Sequence, residues 1–250
     1  MTTLEKTNTT KRSPFINHRA ISVLVGVLFI IGTVAGGMAF SGASILEDPD
    51  YLVKISENES QVLISAAFVL IMGFALSLMA VILFPMLRKY NEILAVGSVV
   101  FRGVLEAVMY LAIVMNWLLQ ITISRAYVKG SVSSVSQYEA MGTLLKGASY
   151  WSDHLLAIVF TLGALMIYYI LYRSKLVPRW LSAWGFIGAI LYLAAPLLNV
   201  FDPLLPALSL TAGWGRLMWP LAVQEMIFAL WLIIKGFNKA AINSLAAKQA

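Results

Sequence analysis

The sequence predicts an all-α fold: an integral membrane bundle of six transmembrane helices with both termini cytoplasmic. Three observations predict it. Of the 250 residues, 60% are hydrophobic and only 12% charged, about half the roughly 25% of a soluble domain, so lipid rather than water must cover most of the surface. The apolar residues gather into six runs, each of the ~20 residues a bilayer requires. Basic residues flank these runs on alternate sides, as the positive-inside rule demands.

Met1–Arg19 is polar, rich in Thr, Asn, Lys and Arg, and reads as a cytoplasmic tail, unstructured to about Pro14. The first span is Ala20–Phe40. Lys11, Arg12 and Arg19 precede it and small residues such as Ser41 and Ala43 follow, as in a signal peptide, but the run exceeds the ~7–15-residue apolar core of one and reads as retained. Gly32 and Gly36 have the G-x-x-x-G spacing that admits a close neighbouring helix.

Ser41–Ser60 is a loop with five acids (Glu47, Asp48, Asp50, Glu57 and Glu59) against Lys54. Asn58 and Gln61 have capping-box spacing and open the second span, Gln61–Pro85. The third, from about Ile93 to Ser124, is long enough to tilt or project. In the Arg125–Lys146 connection, Ser136 and Glu139 predict a short helix to Leu145, a candidate lid.

The fourth span is Gly147–Tyr172 and the fifth Trp180–Val200, where Pro196 is expected to kink the helix. Phe201–Gly213, containing Asp202, Pro203 and Pro206, is a turn; Trp214–Ile234 is the sixth span, with Pro220 in its early turns. Residues 20–236 thus form a single six-helix transmembrane domain between tails 1–19 and 237–250.

The N-terminus, Arg88, Lys89, Arg173, Lys175, Arg179 and the lysines from Lys235 onward fall on one face, and the acidic first loop and Asp202 on the other. Arg125, Lys129 and Lys146 fit less well, but long connections follow the rule weakly. This assigns the chain to the cytoplasmic membrane with membrane lipid as its surroundings. The net charge of +6 comes from residues at the ends of apolar runs, so no nucleic-acid partner is expected. The chain has no cysteine, which excludes disulfides, thiol nucleophiles and cysteine-ligated metal centres.

Few ionisable residues lie within the spans: Arg102 and Glu106 on the third, Asp153 and His154 on the fourth, Glu225 on the sixth. A charged residue at a helix centre costs ~2.5–3.5 kcal/mol on insertion scales, and such residues usually face one another in the bundle interior. At ~1.5 Å per residue, Glu106 lies ~10 Å, Arg102 ~16 Å and Glu225 ~14–16 Å below the outer edge, and Asp153 and His154 ~9–10 Å below it. Three helices therefore bring polar groups to one level. The prediction is an outward-facing polar pocket of Arg102, Glu106, Asp153, His154, Gln224 and Glu225, to which Tyr110, Asn116, Gln120 and Tyr150 add hydrogen bonds.

Plainer roles stand beside this one. Arg102 and Glu106, four residues apart, neutralise each other if they only pin the bundle. His154 serves equally well bonded to a backbone carbonyl, and Asp153 reaches interfacial water. Glu225 has no basic neighbour within a turn on its own helix and needs a partner from another, Arg102 first and His154 second, or a proton. Ser152, Asp153 and His154 point about 100° apart on a helix and form no triad. One intramembrane histidine without cysteine makes a poor zinc site, so no metal is expected. No phosphate loop, G-x-S-x-G elbow or H-E-x-x-H occurs. The sequence names no cofactor.

The segments GVLFIIGTVAG (Gly26–Gly36), EDPDYLVKISENESQV (Glu47–Val62), FRGVLEAVMY (Phe101–Tyr110), DHLLAIVFTLGALMIYY (Asp153–Tyr169), PRWLSAWGFIG (Pro178–Gly188) and LAVQEMIFALWLIIKGF (Leu221–Phe237) resemble the bacterial multi-pass membrane family catalogued as domain of unknown function 4386. The resemblance implies the multi-pass architecture and transfers no activity. Intramembrane metal hydrolases of the alkaline ceramidase type need several histidines, and this chain departs from that pattern. The expected function is binding of a small or amphipathic, anionic molecule as sensor, carrier or accessory protein. An intramembrane hydrolase-like enzyme and a purely structural scaffold, alone, as a homo-oligomer or with a partner membrane protein, remain the alternatives.

Overall fold

The computed structural model describes residues 17–131, 134–201 and 213–247. Among them no strand occurs. The elements are α1 (His18–Glu47), α2 (Tyr51–Glu57), α3 (Glu59–Leu87), α4 (Glu92–Ser98), a π-helical segment (Val99–Leu105), α5 (Glu106–Lys129), α6 (Val135–Ser174), α7 (Arg179–Val200), a 3₁₀ turn (Gly213–Met218), α8 (Trp219–Ile234) and α9 (Lys239–Ala247). Six helical stretches are long and apolar enough to cross a membrane: α1, α3, α4 to α5 through the π segment, α6, α7, and the 3₁₀ turn with α8. The protein is thus a multi-pass, six-helix membrane bundle. The predicted Pro14 boundary and the Asp202–Pro206 turn lie outside the described residues.

The spans close into a ring, in which α1 touches α3 and α8, α8 touches α7, α7 touches α6, α6 touches α5 and α5 returns to α3. Only the inner face of each helix is covered by protein. The outward faces keep large apolar side chains such as Phe40, Ile64, Phe74 and Ile187 exposed, as lipid solvation permits. Gly32 and Gly36 do serve a helix contact: a Cβ would come 2.8 Å from Leu76 Cγ at the first and 2.7 Å from Met72 Sδ at the second, both on α3.

Several ends differ from the sequence prediction. The acidic loop contains α2, whose Tyr51, Leu52 and Ile55 are buried. Asn58 caps no helix start. Its amide donates to Lys54 O of α2 at 2.9 Å, and Gln61 Nε2 reaches Ser41 O at 3.5 Å, so the predicted capping box does not form. The short helix predicted after Ser136 is no separate lid. It is the first part of α6, which runs unbroken for 40 residues from Val135. Nothing between them compels a break, because a lone helical glycine such as Gly147 costs only about 1 kcal/mol. Pro196 lies inside a continuous α7, and Pro220 sits in the first turn of α8, where a missing N–H is harmless.

Elsewhere helix starts follow capping chemistry. Asn17 Oδ1 accepts from Arg19 N and Ala20 N, both at 3.1 Å, to open α1, and Asn91 Oδ1 accepts from Leu94 N at 2.9 Å to open α4. The short α9 folds back onto the bundle: Asn238 N donates to Leu176 O at 2.9 Å, and Ala241, Ile242 and Leu245 are buried. Among the described residues, one end of the bundle collects Arg19, Arg88, Lys89, Arg173, Lys175, Arg179, Lys235 and Lys239 with Glu92, while the other carries Glu47, Asp48, Asp50, Glu57, Glu59 and Glu139 together with Lys54, Arg125, Lys129 and Lys146.

Candidate functional site

Arg102 lies at the middle of the π segment. There the ladder slips by one residue, so that Glu106 N donates to Phe101 O. Such slips rotate the following side chains and recur at functional sites. They also explain how the ionic contacts are shared. The pair four residues apart, Arg102 Nη1 to Glu106 Oε2, is long at 3.5 Å, whereas Arg102 Nη2 meets Glu225 Oε1 of α8 at 2.9 Å. The contact between helices is therefore the closer one. It brings together the level-matched charges of the third and sixth spans.

The rest of the enclosure is aromatic and small. The guanidinium carbon stands 4.2 Å from the ring centroid of Phe160 on α6 and 5.6 Å from that of Phe29 on α1. Both separations are within cation–π range. Phe29 in turn packs edge-on against Phe228 of α8, with centroids 5.7 Å apart. The α6 backbone closes in at Gly163, where a Cβ would lie 2.8 Å from Arg102 Cβ and 2.9 Å from Arg102 N. Arg102 is left 1% exposed and Glu106 fully buried, while Glu225 keeps 14% exposure. Glu225 is thus the least enclosed of the three side chains.

The charges do not balance. One guanidinium faces two carboxyls, so the cluster carries one negative charge in excess when both carboxyls are ionised. Among the described residues, Glu106 Oε1, Tyr168 Oη and Gln224 Oε1 are buried with no hydrogen bond of normal length. Tyr110 lies beside the Glu106 carboxyl and Tyr168 beside the Gln224 side chain. A site of this composition can hold an anionic group on arginine, accept a proton on a carboxyl, or lock three helices together.

The other predicted residues have partners of their own. His154 is buried with Nδ1 2.7 Å from Tyr150 O and Nε2 2.8 Å from Asn199 Oδ1 on α7. Both ring nitrogens therefore face an amide oxygen, one on the α6 backbone and one on α7, and the two contacts fix the ring. The side chain thus joins α6 to α7. A double-mutant cycle of His154→Leu and Asn199→Leu is expected to give a coupling of ~0.6 kcal/mol, at most ~1.7, read from unfolding in mixed detergent micelles. Gln224, though adjacent to Glu225, turns to α7 and donates to Leu181 O at 3.0 Å. Asp153 is exposed on α6.

Asn116, Gln120 and Ser149 form a third polar group. Gln120 Nε2 donates to Asn116 Oδ1 at 2.7 Å, Ser149 Oγ to Asn116 Oδ1 at 3.1 Å, and Asn116 Nδ2 to Leu145 O at 3.1 Å. Along α6, His154 lies ~9 Å and Ser149 ~16 Å from Phe160, both toward the acidic end of the bundle. Polar side chains thus form a ladder from the Arg102 cluster to that end. Among the described residues, no group of three or more His, Cys, Asp or Glu is placed to hold a metal ion.

Sequence reasoning missed Phe29, Phe160, Asn199 and Ser149. The two rings carry no signal in helices that are apolar throughout. Asn199 did carry one: it is an amide within the fifth span, open to the same reasoning as the charges.

A search of the curated proteins and of the solved structures finds no match. The family model described as Domain of unknown function (DUF4386) matches residues 24–236. This range includes every helix of the ring and every residue of the Arg102 cluster, and the chain belongs to that family.

Proposed function

We propose that the protein binds a small or amphipathic monoanion at Arg102, in a pocket reached from the outer side of the cytoplasmic membrane, and acts there as a sensor, carrier or accessory protein. Both termini and the cation-rich end are then cytoplasmic. One observation carries the reading: Arg102 is held by a carboxylate, Glu225, that is the least enclosed member of the cluster. A ligand carboxylate or phosphate can take the place of Glu225 on the guanidinium while its tail lies in lipid. Glu225 accepts a proton from solvent as it leaves, and the net charge of the site is conserved. The polar ladder toward the acidic end supplies hydrogen bonds along the approach.

The test compares dodecanoate with dodecanol on the protein in non-ionic detergent, with the thermal midpoint as readout. The acid is expected to raise the midpoint, by an amount equivalent to ~2.7 kcal/mol at 100 times its Kd, and the alcohol is not. Glu225→Gln weakens the internal competitor and is expected to bind the acid more tightly. No shift with the acid in either protein would sink the proposal.

A second reading, an architectural lock, is favoured by the near-complete burial of Arg102 between two rings. Under it, neutral replacements alter stability and nothing else.

A further inference from the structure

We infer a second anion site at the cation-rich end of the bundle: a chamber between the start of α1 and the α8–α9 corner that takes the phosphate of an anionic phospholipid headgroup. The inference is independent of the Arg102 reading and uses none of its residues. The chamber measures about 590 Å³, and its polar lining includes Asn17, His18, Arg19, Lys235, Lys239 and Asn243. That volume suits a ligand headgroup. Among the described residues, no carboxylate lines it.

Its cations are arranged in two tiers. Arg19 is fixed, donating to the carbonyls of Leu232 at 3.2 Å, Ile233 at 2.5 Å and Ile234 at 3.5 Å. It thereby satisfies the open C-terminal end of α8 while leaving positive charge at the chamber wall. His18 Nε2 accepts from Lys89 Nζ at 3.1 Å, which draws another ammonium to the same rim. Lys235 and Lys239, four residues apart across the α8–α9 corner, are exposed, and neither makes a hydrogen bond or ion pair among the described residues. Like charges gathered around a cavity repel one another unless an anion joins them.

The level of the chamber identifies the anion. His18 is the first residue of α1 and Lys235 follows the last residue of α8, so the chamber sits where two spans leave the hydrocarbon. Immediately below it, Ile234 is 67% exposed and Leu230 50% exposed on α8, with Leu24 45% exposed on α1. Acyl chains can lie on these residues while the phosphate reaches up to Lys235 and Lys239. Phe237 and Ile242, both buried, complete the apolar part of the wall. A free phosphate would use the same ammonium groups and gain nothing from the apolar approach.

The experiment uses full-length protein in non-ionic detergent, stripped of lipid, titrated with dihexanoyl phosphatidylglycerol, dihexanoyl phosphatidylcholine or inorganic phosphate and followed by native mass spectrometry. Preferential retention of phosphatidylglycerol is expected. Each lysine contributes roughly fivefold near an anionic surface, so Lys235→Gln with Lys239→Gln should weaken retention by on the order of 25-fold. The double variant must keep the elution volume and thermal midpoint of the parent. A single Lys239→Gln variant, expected to lose roughly fivefold, serves if it does not. Equal retention of the two lipids, or retention indifferent to the lysines, overturns the site. Inorganic phosphate that binds alone as tightly as the glycerol lipid, and displaces it, overturns the lipid assignment.

Discussion

Replacing Arg102 by methionine is expected to destabilise the bundle by about 3–5 kcal/mol. Methionine replaces the arginine stem out to about Nε and is soft enough to settle against Phe160 and Phe29, so the packing lost is that of the guanidinium head. What is lost is the cation. Glu106 is fully buried, and one of its oxygens already lacks a hydrogen bond of normal length. Removing the guanidinium leaves two carboxyls, on helices that face each other across the ring, together in an apolar interior. The measurement is the unfolding midpoint in mixed detergent micelles, together with the yield of folded protein from membranes. The triple variant Arg102→Met, Glu106→Gln, Glu225→Gln removes all three charges and should recover most of the loss, because exchanging a buried ionic cluster for neutral groups is often neutral or stabilising by ~1–4 kcal/mol. An Arg102→Met protein as stable as the parent would mean that the three groups do not meet.

The same pair of variants separates the two readings of the cluster. A ligand site predicts that the triple variant folds but no longer answers to dodecanoate. An architectural lock predicts no response to the acid in the parent either. Stability and acid response therefore move independently under the first reading, and only stability changes under the second.

Why part of this was legible in the sequence follows from what a membrane penalises. Arg102, Glu106 and Glu225 stood out because hydrocarbon makes each expensive, and depth counting at a fixed rise per residue placed them on one level. The Arg102–Glu225 contact at 2.9 Å agrees with that level. The six spans and most of their ends were readable from length and apolarity, and the structure has six such stretches. The π segment was not readable. A one-residue slip of the ladder changes no composition, and VFRGVLEAVMY suits an ordinary helix as well. The sequence offered Arg102 as a partner to both Glu106 and Glu225 and did not say which is nearer; Glu225 is. Helix faces were hidden too, because the lipid side is as apolar as the interior; that concealed Phe29 and Phe160. His154 was selected by type alone, and its bond to Asn199 depends on packing between α6 and α7 that no local pattern encodes.

Gly163→Val is expected to cost about 3 kcal/mol, the upper end of the range for overpacking. On α6 a glycine-to-alanine change by itself should stabilise the helix by up to ~1 kcal/mol. Gly147, where an added Cβ would meet nothing within 4 Å, should show that gain as Gly147→Ala. At Gly163 the sign reverses. The added Cβ meets the Cβ and backbone nitrogen of Arg102 at 2.8 and 2.9 Å. A backbone nitrogen inside the π segment cannot rotate away as a side-chain tip can. Helix α6 must then move outward, carrying Phe160 from its 4.2 Å seat over the guanidinium and opening the cluster along its length. Gly163→Ala should fall between the two and still destabilise, because its Cβ alone meets that nitrogen and outweighs the propensity gain. Unfolding of all three variants in the same micelles gives the order directly. If Gly163→Val matched Gly147→Ala, α6 would not be seated on the π segment, and the enclosure of Arg102 would have to come from elsewhere.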